Sequence, residues 1–173
     1  MALDETVAEV RRHLAASPAK VFAAFADPAL VRRWLTPSRD VGLDVVQFDF
    51  RIGGAYRFAY RVPGRAPMVV SGVYRAIEPP SRIVFSWDIQ PPDEHAGIRS
   101  EVTVTLTPQG TGTDLLIRHA QLTAPGARER HAAGWNGAID HLAAMVIGVN
   151  TSGSTEARTP RPSTAPQVPT ARS

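Results

Sequence analysis

Between Val41 and Leu122 the chain repeats one pattern: a short stretch of alternating apolar and polar residues, then a turn. Successive side chains on a strand point to opposite faces, so each stretch reads as a strand with one buried face. Val46, Phe48, Phe50 and Ile52 form the first inward row, against Gln47, Asp49 and Arg51. Gly53-Gly54 turns the chain, and Tyr56, Phe58, Tyr60 and Val62 form the second row of a hairpin. Met68 to Ile77 is apolar on both parities, which leaves its inner face open. Ile83, Phe85, Trp87 and Ile89 make the next row, followed by Val102, Val104 and Leu106. Leu115, Ile117, His119 and Gln121 make the last. Strands joined by short turns pair in order as an antiparallel meander.

Such a sheet needs a cover for its apolar face. The segment from Pro125 to about Gly148 supplies one. At helical spacing His131, Trp135, Ala138, Ile139, Leu142 and Met145 or Val146 share a stripe. Pro125 suits the first helical position, where a missing N–H costs nothing. Gly134 and Gly137 flank Trp135. Each costs about 1 kcal/mol relative to alanine inside a helix, which points to close approach of another backbone. The sheet is the expected partner.

Upstream, Thr6 to Leu14 reads as an edge strand. Ser17-Pro18 and Asp27-Pro28 are two helix starts, each a capping residue followed by proline. The second helix carries Trp34 near its end, before Thr36-Pro37-Ser38. The expected fold is therefore α+β: one strand, two short helices, six strands and a long helix, with helices on one face of the sheet.

Of 173 residues, positions 1–148 are expected to form one domain. From Val149 to Ser173 there are four prolines, many serines and threonines, and no aromatic residue, so this tail is expected to be disordered. The net charge is +3, and the tail holds Arg158, Arg161 and Arg172 against Glu156. The remaining domain is close to neutral and shows no basic stripe for nucleic acid. There is no cysteine, which rules out a disulfide scaffold and thiolate chemistry. The acidic start Asp4-Glu5 is unlike a signal peptide, and no apolar run has membrane-span length. A cytoplasmic location is the default expectation.

The order of motifs resembles the START-like, or SRPBCC, superfamily with its helix-grip fold. The matching pieces are Ala16-Ser17-Pro18-Ala19-Lys20-Val21-Phe22, Asp27-Pro28 through Trp34, and Gly53-Gly54 before Tyr56-Arg57-Phe58. They continue with Gly72-Val73-Tyr74 to Pro79-Pro80-Ser81-Arg82-Ile83, and Gly134-Trp135. The branch is similar to the family named for the activator of the ninety-kilodalton heat-shock protein's ATPase. The resemblance implies a curved sheet gripping the last helix, with a space between them. It carries no fixed catalytic set. The eukaryotic co-chaperones of that family have a separate N-terminal domain, for which no room is expected in these 173 residues.

The expected occupant of the space is a small apolar or amphipathic molecule. Pockets are mostly apolar with a few polar groups, and the inward rows supply rings. Candidate ligand contacts are Trp34, Phe48, Phe50, Tyr56, Phe58, Tyr74, Phe85, Trp87, His119, His131 and Trp135. Trp34 reads equally as a lid or an anchor. His119, Gln121 and His131 are the polar groups on inward faces. A polyketide cyclase or dehydratase using the histidines and tyrosines as acid–base groups is the first alternative. A co-chaperone-like interaction module is the second. Zinc needs three or four ligands, and no third residue joins His119 and His131 at a recognisable spacing, so neither metal nor cofactor is expected. Asp93-Glu94-His95 reads as a solvated loop cluster. Homodimerisation is common among small sheets, but no residue establishes it.

Overall fold

The computed structural model describes residues 4–153, with backbone alone for 148–153. The elements follow the expected order: β1 (Ala8–Leu14), α1 (Pro18–Ala26), α2 (Pro28–Trp34), β2 (Gly42–Phe48) and β3 (Ala55–Arg61) come first. Then come β4 (Met68–Glu78), β5 (Arg82–Ile89), β6 (Arg99–Gln109), β7 (Gly112–Ala120) and α3 (Ala127–Gly153). All seven strands form one antiparallel sheet in the order β1-β7-β6-β5-β4-β3-β2. Strands β2 to β7 meander in sequence. The two short helices carry the chain from β1, at one edge, to β2 at the other. No described helix is long and apolar enough to cross a membrane.

The helix starts follow from local chemistry. Ser17 caps α1 by accepting from the Lys20 N–H at 3.3 Å, with Pro18 next. Asp27 serves two helices. Its N–H closes α1 on the Ala23 carbonyl, and its carboxylate accepts from the Ala29 N–H at 2.9 Å to open α2. Val21, Phe22 and Phe25 turn inward, as their spacing requires.

Within β3, β5, β6 and β7 the inward residues are buried as expected, but three other residues expected to face inward, Val46, Ile52 and Gln121, do not. In β2 the register shifts between Val45 and Gln47. The bulge reverses the parity, so Leu43 is buried while Val46 is 61% exposed. Ile52, beyond the strand in the loop to β3, is 66% exposed. Gln121 lies past the end of β7 at φ 66°, exposed rather than inward. The open face of β4 is now assigned: Val70, Gly72 and Tyr74 point inward. A second bulge between Tyr74 and Ala76 then brings Ile77 against the core. Gly72 allows the Tyr56 ring to cross β4. A Cβ there would lie 2.7 Å from that ring and 2.0 Å from the Ser86 carbonyl oxygen. The Tyr56 hydroxyl donates to that same carbonyl.

Pro125 does not open α3. Gly126, at φ +75°, makes a turn first, and the helix begins at Ala127. Its buried stripe is the expected one, Trp135, Ala138, Ile139, Leu142 and Val146. The helical backbone runs past the expected domain limit to Gly153. The rest of the tail expected to be disordered, 154–173, lies outside the described residues. The glycines meet a different neighbour from the one expected. A Cβ on Gly137 would lie 2.0 Å from the Pro37 carbonyl oxygen, and one on Gly134 4.0 Å from the Pro37 Cβ. Close approach is to the loop after α2, not to the sheet.

Candidate functional site

Most of the candidate rings lie in a continuous aromatic core. Phe22 meets Phe50 at 5.9 Å between centroids, Phe50 meets Tyr74 at 4.9 Å, and Phe48 stacks beside Phe50. Tyr56 touches Phe58 at 4.6 Å and Phe85 at 5.7 Å, and Phe85 leads to Trp87 at 6.5 Å. The void left among these rings is about 20 Å³, room for a water or so. Trp34 faces this packed side. It is fully buried, donates from Nε1 to the Ala24 carbonyl at 2.9 Å, and meets Phe25 edge-on. Of lid and anchor, its geometry is an anchor.

The space opens at the other end. A cavity of about 400 Å³ lies between β3 to β5, the loop after α2 and the first half of α3. Its walls are mainly apolar: Leu35, Pro37 and Val41 from the loop, Val62 just after β3, Met68 and Ile89 from the sheet, and Ala133, Gly134 and Ala138 from the helix. Of the candidate residues, Trp87, His131 and Trp135 line it. Tyr60, Thr36 and Arg130 also line it. Tyr60 lay on an inward row in the sequence, and Arg130 directly precedes His131. The loop residues carried no periodic signal.

His119 sits behind the cavity wall, and its bonds fix its state. The Trp135 Nε1–H donates to His119 Nδ1 at 3.0 Å. The Ser100 hydroxyl lies 2.7 Å from both His119 Nε2 and the Trp87 carbonyl oxygen. A carbonyl only accepts, so Ser100 donates to it and receives the His119 Nε2–H. Both ring nitrogens are thus committed with the imidazole neutral. Burial, helped by the neighbouring His131, pushes the His119 pKa down to about 2. A histidine so held is a poor acid or base near neutral pH.

His131 packs edge-on to His119 at 4.8 Å and stacks with His95 at 6.3 Å. Its Nδ1–H donates to the Ala127 carbonyl at 2.7 Å, which leaves Nε2 as a bare acceptor in the neutral ring. Burial lowers its pKa, partly offset by that bond. Among the described residues no group of three or more histidines, cysteines or carboxylates is arranged to hold a metal ion.

The loop after β5 is only in part the solvated cluster expected from sequence: Glu94 is exposed, but Asp93 and His95 turn inward. Asp93 clamps Arg130 with two bonds of 2.8 Å, and the Arg130 guanidinium also reaches the Met68 sulfur at 3.1 Å. Those bonds from Arg130 hold the Asp93 carboxyl down to a pKa of about 2. His95 is buried against His131 rather than in water. The clamp fixes one wall of the cavity and neutralises its arginine. Besides His131 Nε2, two neutral polar groups on the walls are without a partner among the described residues. The Tyr60 hydroxyl has no hydrogen-bond partner among the described residues, and burial keeps it protonated by raising its pKa. The buried Trp87 Nε1–H also has none.

A seven-stranded antiparallel sheet curved around a long C-terminal helix, with two short helices linking its edge strands, is the helix-grip fold of START-like proteins. Within that class, the chain belongs to the family described as Activator of Hsp90 ATPase homolog 1-like protein, whose model matches residues 15–146. It is similar to a protein of solved structure from Rhodobacter sphaeroides at 30% identity and TM-score 0.70, over 83% of this chain and 93% of that one. A protein from Chromobacterium violaceum matches at 28% identity and TM-score 0.72, over 82% and 96%. The AHSA1 protein of Silicibacter pomeroyi shares the fold at 23% identity and TM-score 0.72, over 83% and 99%. No curated protein matches the chain.

Proposed function

We propose that the protein binds a small apolar or amphipathic molecule in the cavity between β3 to β5, the loop after α2 and the first half of α3. The observation that carries this reading is a cavity of about 400 Å³ beside an aromatic cluster whose own void is only about 20 Å³. Its size and apolar walls suit a small ligand. Trp87 and Trp135 supply flat apolar walls, and the Tyr60 hydroxyl and His131 Nε2 supply a donor and an acceptor. A ring system or short chain bearing one hydroxyl or carbonyl fits that chemistry. The enzyme alternative draws less support, since its principal base, His119, is committed on both nitrogens.

The test is a titration of tryptophan fluorescence with neutral sterols, long-chain alcohols and polycyclic phenols. Saturable, one-to-one quenching or blue shift by one class supports the reading. Flat responses across all three classes remove it.

A further inference from the structure

Behind the cavity's loop wall lies a second cleft, of about 430 Å³. Four arginines converge on it from three places in the sequence: Arg32 and Arg33 from α2, Arg39 from the following loop, and Arg61 from the end of β3. Among the described residues the carboxylate paired with this set is Asp44, which holds Arg61 Nε at 3.0 Å. The cleft thus gathers an excess of three positive charges, equal to the net charge of the whole chain. Arg61 is placed rather than loose. A Cβ on Gly42 would lie 2.6 Å from its Nη2, so the guanidinium rests on bare backbone. The floor is apolar, with Val41, Leu43, Ala144 and Met145. His141 stands at the side, its Nδ1 3.1 Å from the Thr36 hydroxyl.

Like charges held together repel unless an anion joins them. Guanidinium groups offer paired N–H donors that match phosphate oxygens two at a time. An apolar floor gives the rest of such a molecule a surface to cover. We propose that this cleft is a second binding site, for a phosphate ester whose oxygens bridge Arg32, Arg39 and Arg61. The site does not depend on what occupies the cavity.

The experiment uses the full chain and two probes: phenyl phosphate by calorimetry, and phosphatidylcholine vesicles with and without phosphatidic acid by co-sedimentation. Phenyl phosphate is expected to bind one-to-one, with an affinity that falls as salt rises. The double variant Arg32→Gln/Arg39→Gln is expected to lose about tenfold or more in affinity. Arg57→Gln, on the outer face of β3, should lose nothing. Binding of phenyl phosphate assigns the site to free phosphate esters. Binding to phosphatidic-acid vesicles alone assigns it to a lipid headgroup. No binding of either probe overturns the proposal, as does equal binding by the double variant or an equal loss in Arg57→Gln. All these variants change exposed side chains, and circular dichroism checks their folding. Neutral ligands test the cavity separately, so either site can fail without the other.

Discussion

The Trp135 indole N–H donates to Nδ1 of His119 at 3.0 Å, and this bond from α3 to β7 fixes both the tautomer and the charge of a buried histidine. The same bond orients the indole that walls the cavity. Because His119 gives its own proton to Ser100, the three side chains form one directional chain ending on the Trp87 carbonyl.

This chain makes stability depend on pH. His119 has an ordinary pKa of 6.5 and a folded value of about 2. Below pH 6.5 the unfolded chain takes up a proton that the folded chain refuses. Stability is therefore full above about 6.5 and falls as pH drops toward 2, by at most about 1.4 kcal/mol per pH unit. Urea unfolding at pH 7.5 and pH 5 should show the native protein losing about 1–2 kcal/mol more than His119→Gln across that interval. At pH 7.5 the variant should be weaker by about 1–3 kcal/mol, because Trp135 and Ser100 lose a well-placed partner. An identical pH response in both proteins would contradict the assignment.

Gly134 and Gly137 are three residues apart on one helix and should respond oppositely to alanine. At Gly134 the new methyl meets only the Pro37 Cβ at 4.0 Å, so Gly134→Ala should gain about 1 kcal/mol from helix propensity. At Gly137 it would lie 2.0 Å from a backbone carbonyl oxygen, which a side-chain adjustment cannot relieve. Gly137→Ala should show a net loss of about 1–2 kcal/mol despite the same propensity gain. Calorimetric melting of both variants decides this; a higher Tm for Gly137→Ala would be inconsistent with the close approach to Pro37.

The Asp93–Arg130 clamp should hold the loop after β5. Asp93→Asn removes the charge but keeps the shape, and should cost about 2 kcal/mol. The folded carboxyl, at about 2, lies below its ordinary 3.8. Its contribution is therefore present above about pH 3.8 and is lost as pH falls toward 2. Limited proteolysis at neutral pH should cut the variant faster between Pro91 and Gly97. Unchanged cleavage there would mean the loop is held by other contacts.

The fold was largely legible because the two kinds of periodicity are strong. Alternation gave the inward faces of β3, β5, β6 and β7, and helical spacing gave the buried stripe from Trp135 to Val146. Alternation failed where the backbone adds a residue: the bulge after Val45 put Val46 on the surface, and no residue there signals it. Of the site, Trp87, His131 and Trp135 stood out by type and parity. One further wall comes from the loop after α2, where Pro37 lies in close approach to Gly137. A pair of costly glycines pointed to tight packing, which the fold shows at Gly137 and not at Gly134. Their identity alone could not show that the neighbour was a loop and not the sheet. The arginine cleft was hidden for the same reason, since its four cations come from separated segments that only the fold unites.

The cavity beside Gly134 is expected to admit an apolar guest, while the aromatic half of the core is closed. The most direct test is a titration with the neutral probe N-phenyl-1-naphthylamine, followed by its own fluorescence, in the native protein and in Gly134→Leu. The leucine side chain would project into the cavity from a position with no close neighbour, so the variant should fold at least as stably. Saturable one-to-one binding to the native protein is expected, weakened about tenfold or more in the variant by the filled volume. Equal binding to both proteins, or none to the native one, would contradict it.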